Sequence, residues 1–139
     1  MPHGVRAFYG YTPEWEIDEK QSKEILLVFQ YACAGKTYRD MQKKLPGWNQ
    51  DKVYYTIQSA AYAGELQYNK AGVHHVIENH HPAIISRDVF EAVQLLKQLN
   101  VLRSTRRLFT ETELYAMEYA WNTGVAEWGE EKMREIQEA

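Results

Sequence analysis

The strongest constraint on this chain is a run of three amphipathic helical patterns between Trp15 and Ala60, the last two separated only by Pro46-Gly47. From Trp15, apolar residues recur at helical spacing. Ile17, Ile25, Val28, Phe29, Ala32 and Cys33 share a face, and Gly35 stands where a helix stop belongs. Thr37 predicts the cap of a short helix through Leu45, with Tyr38, Met41 and Leu45 on one side, ended by Pro46-Gly47. Asn49 predicts the cap of a third helix over about 50–60. Its inward face carries Val53, Ile57 and Ala60, and its outward positions include Gln50, Lys52, Tyr55, Thr56 and Gln58. A short helix and a tight turn before a third helix make a helix-turn-helix outline, a geometry that offers the third helix to a major groove.

The flanking segments fill in the architecture. Residues 4–13 hold glycines and a proline without helical period and read as an extended arm. Glu65 to Tyr68 and Val73 to Ile77 alternate around a turn-like Asn69-Lys70-Ala71-Gly72, which predicts a β-hairpin. Ser86 caps a helix carrying Val89, Phe90, Val93 and Leu96. Beyond a basic link, Thr110 and Glu113 form a capping box ahead of Leu114, Met117 and Trp121. Thr123-Gly124 is expected to break that helix, and a last amphipathic piece runs from Val125 through Trp128 to Ile136. The expected fold is therefore mainly α with a small β-hairpin (α+β): a helix-turn-helix-like three-helix unit, the hairpin, then further helices. The expected division is 1–102, with the N-terminal arm, and 103–139, a basic link with an acidic helical appendage.

Charge supports that division. The net charge is −3, yet residues 1–100 balance at zero and the whole acidic excess falls in 101–139. The lone Cys33 excludes an intrachain disulfide and a Cys-x-x-Cys zinc site, and a buried thiol is expected. No apolar run reaches the ~20 residues a bilayer span needs, and Met1-Pro2-His3-Gly4 does not begin a signal peptide, so no membrane partner and an intracellular place are expected.

Lys36, Arg39, Lys43 and Lys44, against Asp40 alone, form a small positive cluster suited to phosphates. Gln50, Lys52, Tyr55 and Gln58 could reach base edges or phosphates from the third helix. Arg6 in the arm could enter a minor groove. The same residues also fit a small helical domain with a solvated charged face. His74-His75 and His80-His81 suggest metal only weakly, because neighbours on a strand point to opposite faces. The chain has no Gly-x-Ser-x-Gly elbow, phosphate-cradling loop or supported Cys-His pair, so no catalytic residue, metal or cofactor is expected and the chain alone is not read as an enzyme.

Gly10-Tyr11 and Val28-Phe29-Gln30-Tyr31 with Gly35-Lys36-Thr37 are followed by Trp48-Asn49-Gln50-Asp51-Lys52-Val53 and Ala61-Tyr62-Ala63-Gly64. His80-His81-Pro82-Ala83-Ile84-Ile85-Ser86 and Val89-Phe90-Glu91-Ala92-Val93-Gln94 complete the series. Together, over about residues 4–98, they resemble the recombinase domain of large serine recombinases, the phage integrases and transposon resolvases. The resemblance implies a double-stranded DNA partner: a module that positions half-site DNA for strand exchange by a separate catalytic domain, in a cytoplasmic, bacterial or phage-encoded setting on a mobile element.

It also implies an arm with Arg6, Phe8 and Tyr11 near the minor groove. Segments 36–44 and 48–58, the latter with Trp48, Asn49, Gln50, Lys52, Tyr55 and Gln58, would face phosphates and bases, and Arg103, Arg106 and Arg107 in the basic link complete the expected DNA-binding set. Tyr62, Gly64, Ile84, Ile85, Phe90 and Val93 match structural positions. The pattern departs from the family in lacking the preceding catalytic domain and the following zinc ribbon, and in having only Pro46-Gly47 before Trp48. The alternative is a recombinase-derived interaction module, using Trp121, Trp128 and the acidic tail to hold a protein partner or a second copy.

Overall fold

The computed structural model describes residues 7–103 and 108–138. Among them run α1 (Glu19–Cys33), α2 (Tyr38–Lys44), α3 (Gln50–Ile57), β1 (Leu66–Lys70), β2 (Val73–Ile77), α4 (Arg87–Gln98), α5 (Glu111–Trp128) and α6 (Glu130–Glu138). The layout is α+β and mainly helical, as the sequence pattern predicts. Expected residues Arg6, Arg106 and Arg107 lie outside the described segments.

Local chemistry sets most of the boundaries. Asp18, Thr37, Asn49, Ser86 and Thr110 each accept a backbone N–H in the first turn of their helix, and Thr37 and Thr110 do so within full capping boxes. At the end of α1, Gly35 adopts φ 78°. Its N–H donates to the Ala32 carbonyl and the Lys36 N–H to that of Tyr31, the paired bonds of a Schellman stop. That turn aims the chain straight into α2.

α1 is the central post. Ile25, Val28, Phe29 and Ala32 are fully buried, and α1 packs against each of α2, α3, α4, α5 and α6. Ile17 departs from the predicted helical face: it is 41% exposed and forms an isolated antiparallel bridge with Tyr11 before the helix begins at Glu19. α3 stops at Ile57, and a 3₁₀ turn over Ala60–Ala63 follows, so Ala60 is only half-buried. Gly64 closes that turn at φ 91°, where an added Cβ would lie 3.1 Å from the His81 carbonyl oxygen.

The hairpin pairs Leu66 with Ile77 through Lys70 with Val73, joined by the two-residue turn Ala71-Gly72. The strands thus extend through Asn69 and Lys70, which alternation alone assigns to the turn. Both turn residues have positive φ, which matches the right-handed twist of the strands. Arg87 ties the hairpin base to α4, donating to Glu65 at 3.1 Å and to Glu91 at 3.2 Å.

The predicted break at Thr123-Gly124 does not occur: α5 runs unbroken to Trp128 and ends at Gly129. Its buried face is Ala116, Ala120 and Gly124 with Glu113, whereas Leu114 is 52% exposed. These small residues bring α5 close to the core; a Cβ added at Gly124 would lie 3.3 Å from that of Cys33. Met133 and Ile136 of α6 are buried in the same core cluster as Val28 and Phe29. Burial pushes the Cys33 thiol up to about 12, as expected for an inert thiol.

Candidate nucleic-acid interface

α2 and α3 carry the candidate surface. On α2, Tyr38, Met41 and the following Leu45 are buried, which leaves Arg39, Lys43 and Lys44 exposed. Lys36, Lys43 and Lys44 line a shallow depression of about 280 Å³ with Tyr31 and Asp40. The Asp40 carboxylate accepts the Thr37 N–H at 3.1 Å, so the one acidic member of the cluster is engaged at its own helix start. The Tyr38 N–H donates to the Leu102 carbonyl at 2.8 Å, which carries exposed Arg103 to this end of α2. Burial raises the Tyr38 hydroxyl pKa, reinforced by Tyr54, and the nearby Arg103 charge opposes that rise.

On α3 the outward side chains are Gln50, Asp51, Tyr54 and Tyr55, with Tyr55 67% exposed. Asn49 spends its amide oxygen on the Lys52 N–H at 2.7 Å. Thr56, placed outward by periodicity, is buried, and its hydroxyl donates to the Lys52 carbonyl. α4 braces the far end of α3: Gln94 donates to the Ile57 carbonyl at 2.7 Å, and Lys97 donates to the Gln58 amide oxygen at 3.4 Å.

Trp48 is not a surface residue. It is 7% exposed, and its indole N–H donates to Glu24 at 3.0 Å. The other carboxylate oxygen of Glu24 accepts the Tyr9 hydroxyl at 2.6 Å, and burial together with this bond pushes that hydroxyl up to about 12. The Lys52 ammonium lies 3.8 Å from the centre of the Tyr9 ring and 4.2 Å from that of Trp48. One carboxylate, one cation and two rings thus clamp the arm, α1, the turn after α2, and α3. Replacing Glu24 with alanine strands the buried indole N–H and should cost roughly 1–2 kcal/mol in chemical denaturation, with Glu24→Gln milder because its amide oxygen still accepts one bond.

Tyr11, assigned to the minor groove by resemblance, also belongs to the interior. It is 5% exposed, and its hydroxyl donates to the Pro82 carbonyl at 2.7 Å. Its ring lies among Trp15, Tyr62 and His81, with His81 stacked on Trp15 at 4.3 Å. His81 Nε2 donates to the Ala61 carbonyl, leaving Nδ1 to accept from His80 Nδ1 at 2.9 Å. Burial lowers the His81 pKa, opposed by the Ala61 bond and reinforced by the charge of His80. The folded state therefore prefers neutral His81, whereas the unfolded chain takes up its proton near 6.5. Stability should fall as pH drops below about 6.5, and that slope should be shallower in His81→Gln, read as Tm from pH 8 to 5. His74 and His75 stay on the hairpin, bonded to Asn69 and stacked on Tyr68 respectively. Among the described residues no cluster of His, Cys, Asp and Glu could hold a metal.

Sequence reasoning missed a groove of about 410 Å³ between the arm and α3, lined by Phe8, Tyr9, Lys52, Tyr55, Ser59 and Tyr62. It also missed Lys97, which folding brings beside Tyr54 and Gln58. No local pattern signals either, because each joins residues far apart in the chain.

No helix among the described residues is long and apolar enough to cross a membrane. The model of a family described as Recombinase matches residues 19–100, more than half of the chain. No curated protein and no solved structure matches it.

Proposed function

The chain belongs to the Recombinase family, with a role in recombination, and from that premise we propose that it is a double-stranded DNA-binding module that positions a half-site for strand exchange by a separate catalytic domain. The observation that carries this reading is the joint exposure of Arg39, Lys43 and Lys44 on α2 and of Gln50 and Tyr55 on α3, two packed helices joined by the five-residue connection Leu45–Asn49. Cations on the first helix would grip phosphates, and the second would present polar and aromatic groups to base edges. Selection of duplexes from a randomised pool tests the reading. The selected sites should share a motif, and Gln50→Ala should change base preference at one position rather than weaken every sequence alike. Recovery of no enriched motif would count against sequence-directed binding.

A second reading has one observation in its favour. Leu114, Tyr115 and Tyr119 of α5 are 52%, 70% and 43% exposed, which suits a protein contact or self-association through the C-terminal helices. Trp121 and Trp128, the aromatic anchors expected for that role, are instead half-buried and pack against the core. Concentration-dependent sedimentation that Tyr115→Ser abolishes would support this reading.

A further inference from the structure

We propose that the groove between Phe8 and α3 is a thymine-methyl pocket that makes the module favour A·T pairs at the positions it covers; the proposal rests on the DNA-binding reading above. Phe8, Tyr9, Tyr55 and Tyr62 give the groove its apolar surface beside Thr56, Gln58 and Ser59; Tyr62 is 3% exposed, Phe8 39% and Tyr55 67%. Lys52 is the charged residue of its lining. Such a surface has no carboxylate for a cation and offers mostly apolar area to an occupant.

On a duplex, the apolar group displayed at the major-groove base edge is the thymine 5-methyl. The groove is continuous with the outward face of α3 through the exposed Tyr55, and Gln58, the residue that caps the end of α3, also lines it. Lys97 holds the Gln58 amide oxygen at 3.4 Å at that boundary, and an amide there is suited to the N6 and N7 edge of the adenine paired with the thymine. At the rim, the Lys52 ammonium is held over the Tyr9 and Trp48 rings, a fixed positive charge complementary to the phosphate flanking the base. Apolar wall, amide and cation thus match the three groups that one A·T nucleotide step presents.

The test uses the full chain and a duplex selected from a randomised pool, prepared with thymine or with uracil at each A·T position. Uracil deletes the methyl alone and leaves pairing intact. Burial of one methyl corresponds to about a four-fold change in affinity. Wild-type protein should bind about four-fold more weakly at each covered uracil, and Tyr55→Ala should bind both duplexes alike. Equal wild-type affinity for the thymine and uracil duplexes, with salt-sensitive binding intact, overturns the pocket and leaves the DNA-binding reading standing. Undiminished discrimination in Tyr55→Ala overturns its assignment to this groove. Failure of the thymine duplex to bind at all removes the DNA-binding reading, and the pocket with it.

Discussion

Replacing Gly124 with leucine should destabilise the protein by about 3 kcal/mol, whereas Gly124→Ala should change stability by less than about 1 kcal/mol. Two effects oppose each other at this site. A glycine inside a helix costs roughly 1 kcal/mol relative to alanine, so alanine gains in propensity. Its Cβ, however, would meet Cys33 Cβ at 3.3 Å and the Trp128 ring at 3.2 Å. The Trp128 ring is half-buried and near the end of α5, so it can give by a few tenths of an ångström; Cys33, 1% exposed, cannot. Alanine therefore roughly breaks even. Leucine places a branched side chain between α5 and α1 with nowhere to go, and overpacking of this kind costs about 1–3 kcal/mol or more. Denaturant titration of the two variants reads the difference directly. If Gly124 were a helix break, leucine would be tolerated there.

The double variant Lys43→Gln, Lys44→Gln should bind duplex DNA about 30-fold more weakly at roughly 0.15 M salt. Each phosphate contact contributes a log–log salt slope of about −0.9, which corresponds to about five-fold in affinity at that ionic strength. The loss should be uniform across sequences, and the slope should become shallower by roughly 1.8. Both lysines stand in the last turn of α2 and complement its dipole. Their removal therefore costs some stability as well, about 0.3–1 kcal/mol each at most. A Tm measured beside the binding assay separates the two effects. A mutant that binds as tightly as wild type would place the phosphate contacts elsewhere.

What could be read from the sequence was whatever depends on neighbours a few residues away. The caps at Thr37, Asn49, Ser86 and Thr110 and the stop at Gly35 are decided within one helical turn, and all five stand where the residue types place them. The basic face of α2 was legible for the same reason, since Tyr38 and Met41 fix which side faces inward. Misplaced features depend on contacts across the chain. Trp48 looked like a recognition residue until Glu24, 24 positions earlier, proved to be its indole partner. Tyr11 looked like part of an extended arm, yet the carbonyl of Pro82, 71 residues later, holds its hydroxyl. Gly124 reads as a breaker by propensity alone; within the helix it faces Cys33 of α1, which leaves no room for a side chain larger than a methyl group. The Phe8–Tyr62 groove has no linear signature at all.

Lys52 shows how the structure refines the candidate site. Periodicity sends it outward to DNA, and the fold lays its ammonium over two rings instead. It remains at the edge of the surface, but its position is set by the arm. On the proposed DNA-binding reading, Lys52 serves the groove beside Phe8, and the remaining phosphate contacts fall to the exposed cations of α2 and to Arg103.

The most direct measurement is the affinity of the full chain for a short duplex between about 50 and 200 mM salt. With Arg39, Lys43, Lys44 and Arg103 each neutralising one phosphate, the log–log slope should be about −3.5. Absence of duplex binding at the low-salt end, or a slope shallower than about −1, would contradict the assignment of this face to DNA.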